Sequence, residues 1–392
     1  MSEAARATPT SGPAPDADAL ARLVRLFAAR GCRMVDPPVL HPVRTFVDLA
    51  GEDFRRRLFT TVDALGEELA LRPDFTIPVA LMHLSATDRP GETADYAYCG
   101  PVFRQRRQQG RAEFLQAGVE WIGRAASPET DAALVALAHE VARTLGLPPL
   151  RLRIGDADLF AGLVDRLPLA ASARGRLKRA FGDPERLARL VADLADPETA
   201  RRNGGGTLAG LSAALSRLDP AEARRIVRAV VDLSSATPFG GRSADEIADR
   251  LLERGDAGDP AVAAGAASIV SDYLSIACGA PEGPARLAAF ADRHRLDLSA
   301  EVERLSGLLA ALAGAGIEVA AARFEAGFGR RLDYYTGLVF ELDDPSAPGQ
   351  GQLVGGGRYD RLLGLLGAAE PVPAIGFAVW LDRLGESGGA SR

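Results

Sequence analysis

Tyr96-Ala-Tyr-Cys-Gly-Pro-Val-Phe-Arg104 and Glu113-Phe-Leu-Gln-Ala-Gly-Val-Glu-Trp-Ile122 are two extended segments joined by a loop rich in Arg, Gln and Gly. The spacing predicts a β-hairpin over 96–122 with its loop at 105–111. A hairpin supplies no crossover helix, so the sheet it seeds is expected to be largely antiparallel. In the second strand, alternation puts Ala117, Val119 and Trp121 on one face and Gln116, Gly118 and Glu120 on the other. A glutamine and a carboxylate on either side of a glycine form either the floor of a cation-binding site or the wet face of an edge strand. For the strand taken alone, the wet face is the plainer reading.

Outward from the hairpin, Ser127 and Pro128 open a helix as cap and first residue, with a stripe of Leu134, Leu137, Ala138, Val141 and Leu145. Gly146 ends it, and Leu150, Leu152 and Ile154 alternate with arginines as a half-buried strand. Residues 160–313 are Ala/Leu/Arg-rich with helical periodicity, broken at Gly182-Asp183-Pro184, Asn203–Gly206 and Gly255–Pro260. Extended patterns return at Leu338–Leu342 and Ala374–Val379, with a turn expected at Gly355–Gly357. Upstream, Leu20, Leu23, Val24 and Phe27 recur at helical spacing before Gly31. The expected fold is α/β (α+β): a mixed, mainly antiparallel sheet flanked by helices in a discontinuous domain over 19–159 and 314–385. Residues 160–313 are read as a helical insertion, and 1–18 and 386–392 as flexible tails.

Composition narrows the function. The 392 residues carry 46 basic and 52 acidic side chains, a net charge of −6. That balance weighs against bulk coating of nucleic acid. Cys32, Cys99 and Cys278 lie far apart, as do His41, His83, His139 and His294, so neither a disulfide framework nor a metal site is expected. The first 18 residues lack the apolar stretch of a signal peptide, and the longest apolar runs are too short to span a bilayer. A cytoplasmic chain with no membrane contact is expected.

Four segments look chemical. Arg330-Arg-Leu-Asp-Tyr-Tyr-Thr-Gly337 offers arginine forks for a carboxylate and Tyr334 and Tyr335 for a flat ring, or else is a loop anchored by its tyrosines. Leu71-Arg-Pro-Asp-Phe-Thr76 puts Arg72, Asp74 and Thr76 on one face if extended; Asp74 is either an ammonium ligand or a cap. Arg104 is a cation within an otherwise apolar strand, explained by a core salt bridge or an anion site. Gly355-Gly-Gly-Arg-Tyr-Asp360 lacks the endings of a phosphate loop and reads as a tight turn.

Together these segments resemble, in order and spacing over about 20–385, the class II aminoacyl-tRNA synthetases in their histidyl form. Gly100–Arg104 with Glu113–Glu120 is similar to motif 2. Leu71–Thr76 resembles the Arg-Pro-Glu-Gly-Thr segment, and Arg330–Tyr335 the histidine-specific Arg-Gly-Leu-Asp-Tyr-Tyr signature, the most specific match. Gly355–Asp360 and Ala374–Arg383 resemble the end of the catalytic domain with motif 3, and Pro38 sits where motif 1 carries its dimer-interface proline. By this resemblance Asp74, Thr76 and Gln116 meet the ammonium of L-histidine. Arg330 and Arg104 meet its carboxylate, and Glu120 and Tyr335 its imidazole, with Tyr334 walling the ring.

Departures from the pattern redirect the function. Nine residues follow Arg383, fewer than the ~50 an independent domain needs, so no anticodon-binding domain and no tRNA are expected. The glutamate that reads adenine is replaced by Arg106, the hairpin loop is shortened, and Trp380 and Arg331 stand where the family has glycine. Asp74 and Phe75 replace Glu and Gly. This profile resembles the regulatory subunits of ATP phosphoribosyltransferase. It implies no catalysis and no cofactor, a dimer of this chain, and a hetero-oligomer with the short-form catalytic subunit that is activated and made histidine-sensitive in histidine biosynthesis. Two alternatives stay open: a truncated synthetase paralogue that activates histidine with ATP for a non-tRNA acceptor, and a histidine-sensing module for another protein.

Overall fold

In a computed structural model, residues 17–87, 89, 91–105, 112–196, 215, 218–233, 260–330, 334–347 and 352–383 are described. Their strands are β1 (Arg33–Met34), β2 (Leu40–Pro42), β3 (Thr60–Val62), β4 (Glu68–Leu71), β5 (Ala94–Phe103) and β6 (Glu113–Ile122). They continue as β7 (Arg151–Asp156), β8 (Ala277–Gly279), β9 (Arg323–Glu325), β10 (Thr336–Asp343), β11 (Val354–Arg358) and β12 (Ala374–Trp380). Nine of them form one sheet in the order β1-β5-β6-β12-β11-β10-β7-β9-β8, and β2-β4-β3 form a second. Only β1/β5 and β7/β9 are parallel. The sheet is mixed and mainly antiparallel, and the hairpin β5–β6 lies within it.

The period-2 reading of β6 separates two cores. Ala117, Val119 and Trp121 face the larger one, shared with Phe27, Leu134, Phe160, Val270, Phe290 and Leu308 of the helices that cover this side. Tyr98, Phe114, Phe46, Phe75, Tyr334 and Tyr359 fill the other. Ser127 caps the helix Pro128–Thr144 by accepting from Thr130 N at 3.2 Å, as its sequence predicts. Gly31 and Gly146 take positive φ, +76° and +75°, to end their helices.

Several expectations change. β6 pairs with β5 and β12, so Gln116 and Glu120 lie on a buried interior strand rather than a wet edge. Val24 is 40% exposed; the first helix buries Ala19, Leu23 and Phe27 instead. Ala17 and Asp18, assigned to a tail, begin that helix. Residues 160–313 are not helical throughout, since β8 joins the sheet edge and the helices share its core. The turn expected at Asn203–Gly206, the 386–392 tail and residues 1–16 lie outside the described residues. So do Arg106 and Arg331.

The largest difference is β11. Gly355, Gly356 and Gly357 are a buried interior strand between β10 and β12, not a turn. Three glycines look like a turn because they lack side chains, and here that lack is what the packing requires. A Cβ on Gly356 would stand 2.6 Å from Phe377 Cβ and 2.9 Å from Phe340 Cε1. Gly356→Ala is therefore expected to destabilise the fold by about 1–3 kcal/mol or more in denaturant unfolding, although Ala outranks Gly in strand propensity. Unchanged stability would contradict this packing.

Candidate functional site

The chain turns at Pro73 and enters the helix Thr76–Ala86, whose first residue reaches the polar face of β6. Thr76 Oγ1 donates to Glu120 Oε1 at 2.8 Å. Tyr98 OH, on β5, donates to the same oxygen at 3.2 Å. Tyr359 OH, just beyond β11, donates to Oε2 in a short bond. Three hydroxyls from separate stretches thus converge on a carboxylate that is 1% exposed. Such a group needs partners, because burying a charge without them is costly. Burial still outweighs the donors and pushes the Glu120 carboxyl up to about 7.

Above this floor opens a cavity of about 410 Å³, counting its mouth. Asp74, Thr76, Arg104, Gln116, Arg330, Tyr334 and Tyr335 all line it, so seven of the eight expected residues meet around one cavity. Glu120, the eighth, lies directly beneath: a Cβ on Gly376, another lining residue, would sit 2.6 Å from its Cδ. Sequence reasoning missed Tyr359 as a site residue. The glycine stretch before it read as a turn, and only as the strand β11 does it carry Tyr359 over Glu120.

Opposite charges are neighbours on this lining. Arg104 donates from Nε to Pro73 O at 2.6 Å; burial lowers its pKa, and Asp74 opposes that shift. Asp74 is raised by burial and lowered by Arg104. Its Oδ1 accepts from Ile77 N at 3.3 Å, so this carboxylate both caps the helix and walls the cavity. Arg330 Nη1 donates to Gln352 Oε1 at 3.1 Å. Gln116, 1% exposed, leaves its Oε1 without a hydrogen-bond partner among the described residues, an acceptor suited to a ligand ammonium. Two arginines, a carboxylate and an unpartnered amide oxygen thus line one cavity, with the Glu120 carboxyl beneath it.

Neighbours expected at the site are placed differently. Arg72 does not share a face with Asp74 and Thr76, because the chain is not extended there. Its guanidinium is buried, donating to Pro37 O at 2.6 Å and Pro101 O at 2.9 Å. Phe75, where the resembled family has glycine, is not at the cavity wall. It stacks on Tyr98 at 4.3 Å and 10°, behind the Glu120 floor. Trp380 does line the cavity, with the Arg383 guanidinium 5.3 Å from its ring centroid. Arg383 also donates to Gln352 O in a short bond.

Over residues 15–237 and 223–384 the chain matches the family model described as histidyl-tRNA synthetase. It is 42% identical over 362 residues to the ATP phosphoribosyltransferase regulatory subunit of Allorhizobium ampelinum, covering 91% of this chain and 94% of that one. With the same subunit of Sinorhizobium fredii it shares 40% identity over 377 residues, 95% and 96% of the two chains. Among solved structures, an ATP phosphoribosyltransferase regulatory subunit/histidyl-tRNA synthetase from Bacillus halodurans superposes with TM-score 0.61 at 21% identity, over 98% of this chain and 84% of that one. A histidyl-tRNA synthetase from Nostoc gives 0.60 at 17% identity, over 98% and 75%. These two likenesses establish the class II synthetase-like fold.

Glu120 titrates higher folded than its ordinary carboxylate value, so between about 4.5 and 7 the folded chain binds the extra proton. Its contribution to stability is full below this window and is lost as pH rises through it. Glu120→Gln is expected to flatten that part of the unfolding free energy between pH 5 and 8, a change on the order of a few kcal/mol at most. Denaturant midpoints across this range measure it, and an unaltered slope would contradict the raised carboxyl.

Proposed function

The chain belongs to the family of ATP phosphoribosyltransferase regulatory subunits, built on the histidyl-tRNA synthetase fold, and from that premise we propose that it assembles with the short-form catalytic subunit, activates it and confers feedback inhibition by L-histidine bound in the cavity. The observation that carries the ligand half is that Arg104, Arg330 and Asp74 line one small cavity above the buried Glu120. Free histidine has a carboxylate, an ammonium and an imidazole, and each needs a complementary partner once desolvated. Arg330 and Arg104 suit the first, Asp74, Thr76 and Gln116 the second. Glu120 with Tyr335 and Tyr359 suits the third, with Tyr334 as a wall. Because Glu120 titrates near 7, it can meet the ring as carboxylate or as acid.

Trp380 on the cavity wall supports loss of adenine binding, since a Trp side chain buries ~150–250 Å² of surface. Apolar exposure at Met34, Val39 and Leu40, around the exposed Pro38, supports a two-fold dimer of this chain as the core of the hetero-oligomer.

Reconstitution with the short-form phosphoribosyltransferase from the same source tests the proposal. Activity should rise on adding this chain and fall on adding histidine. Glu120→Gln should blunt the inhibition 10- to 100-fold, the size of one charge-assisted hydrogen bond, while leaving assembly intact. A catalytic subunit that is fully active and histidine-sensitive alone would overturn the regulatory role. In the same preparations, histidine-dependent exchange of pyrophosphate into ATP should stay at background; exchange above it would favour the synthetase paralogue, which the arginines Arg104 and Arg330 on the wall would then serve.

A further inference from the structure

The turn Phe181-Gly182-Asp183 joins the helices Ala171–Ala180 and Pro184–Ala195, about 150 residues in sequence from Arg330. Yet the two backbones touch. Gly182 has φ +90°, and a Cβ there would stand 2.7 Å from Arg330 N and closer still to the Arg330 carbonyl. The fit is reciprocal, since a Cβ on Gly329 would lie 2.7 Å from the Phe181 ring and 2.8 Å from Gly182 N. Phe181 is fixed in turn by stacking on Phe160, with centroids 4.6 Å apart and planes 13° from parallel. At the other end of the side chain, the Arg330 guanidinium is bonded to Gln352 and lies over Gly355, where a Cβ would be 3.1 Å from Cζ.

Contacts this close leave no slack. The backbone of Arg330 cannot shift toward the turn, and a bulkier turn must push it away, because packed interiors transmit strain rather than absorb it. We propose that the Phe181–Gly182 turn is the element that positions Arg330, so that the helical segment sets how tightly the cavity grips a ligand carboxylate. The inference rests on the reading of the cavity as a histidine site. It gives residues 171–195 a definite role there: none of them lines the cavity, and their effect passes through Arg330 as a positioning contact.

Calorimetric titration of the full chain with L-histidine and with L-histidinol, in which a hydroxymethyl group replaces the carboxylate, tests this. Gly182→Ala should weaken L-histidine about 10- to 100-fold and L-histidinol less than about 3-fold, the signature of a displaced carboxylate partner. Gly146→Ala carries the same backbone strain, at φ +75° with nothing within 4 Å, and should leave both ligands unchanged. Added to Arg330→Ala, Gly182→Ala should have no further effect. If Gly182→Ala does not fold, Phe181→Leu, which loosens the stack, should give the same selective loss. Equal weakening of both ligands, or undiminished histidine affinity in a folded turn variant, overturns the proposal while sparing the histidine site. A wild-type chain that binds neither ligand overturns the histidine reading, and this inference with it.

Discussion

The buried Glu120 carboxylate is the constraint on which the rest of the site depends. A carboxylate 1% exposed needs several donors, and these come from Thr76 at a helix start, Tyr98 on β5 and Tyr359 past β11. Satisfying one group therefore fixes the helix Thr76–Ala86, the hairpin and the β11 exit relative to one another. Tyr98 is itself held by Phe75, against whose other face the Arg72 guanidinium lies 4.0 Å from the ring centroid. What departs from the synthetase pattern at Phe75 thus braces the floor rather than filling the cavity.

Room above that floor is made by subtraction. Gly355, Gly357 and Gly376 leave space that Arg330, Tyr335 and Glu120 occupy, so the polar groups press against bare backbone. A strand built of glycines is intrinsically poor, and its stability comes from the strands on either side, β10 and β12. The same thinness lets two cations and a carboxylate line one small volume with a second carboxyl, Glu120, packed beneath it. A site of that kind is complementary in charge to a small zwitterion, which is the ligand half of the proposal.

Much of this was legible in the residues. Alternation alone placed Gln116 and Glu120 on one face, and the Ser127-Pro128 cap and Gly146 stop marked the long helix within a residue or two. What alternation could not say was whether that face was wet, because burial is decided by β12, which pairs with β6 from more than 250 residues away. Local propensity misread Gly355–Gly357 for the same reason: glycine signals a turn unless distant side chains need its empty space. The extended reading of Arg72, Asp74 and Thr76 failed where Pro73 turned the chain into a helix. Tyr359 was hidden by the glycine misreading before it, and the contact between Gly182 and Arg330 left no trace in spacing.

The most direct measurement is a crystal structure of the chain grown with saturating L-histidine. The expected density places the imidazole within hydrogen-bond reach of Glu120 and the carboxylate against Arg330, with the ammonium between Asp74 and Gln116. Histidine bound elsewhere on the chain, or in the cavity with its carboxylate turned toward Glu120, would contradict the central claim.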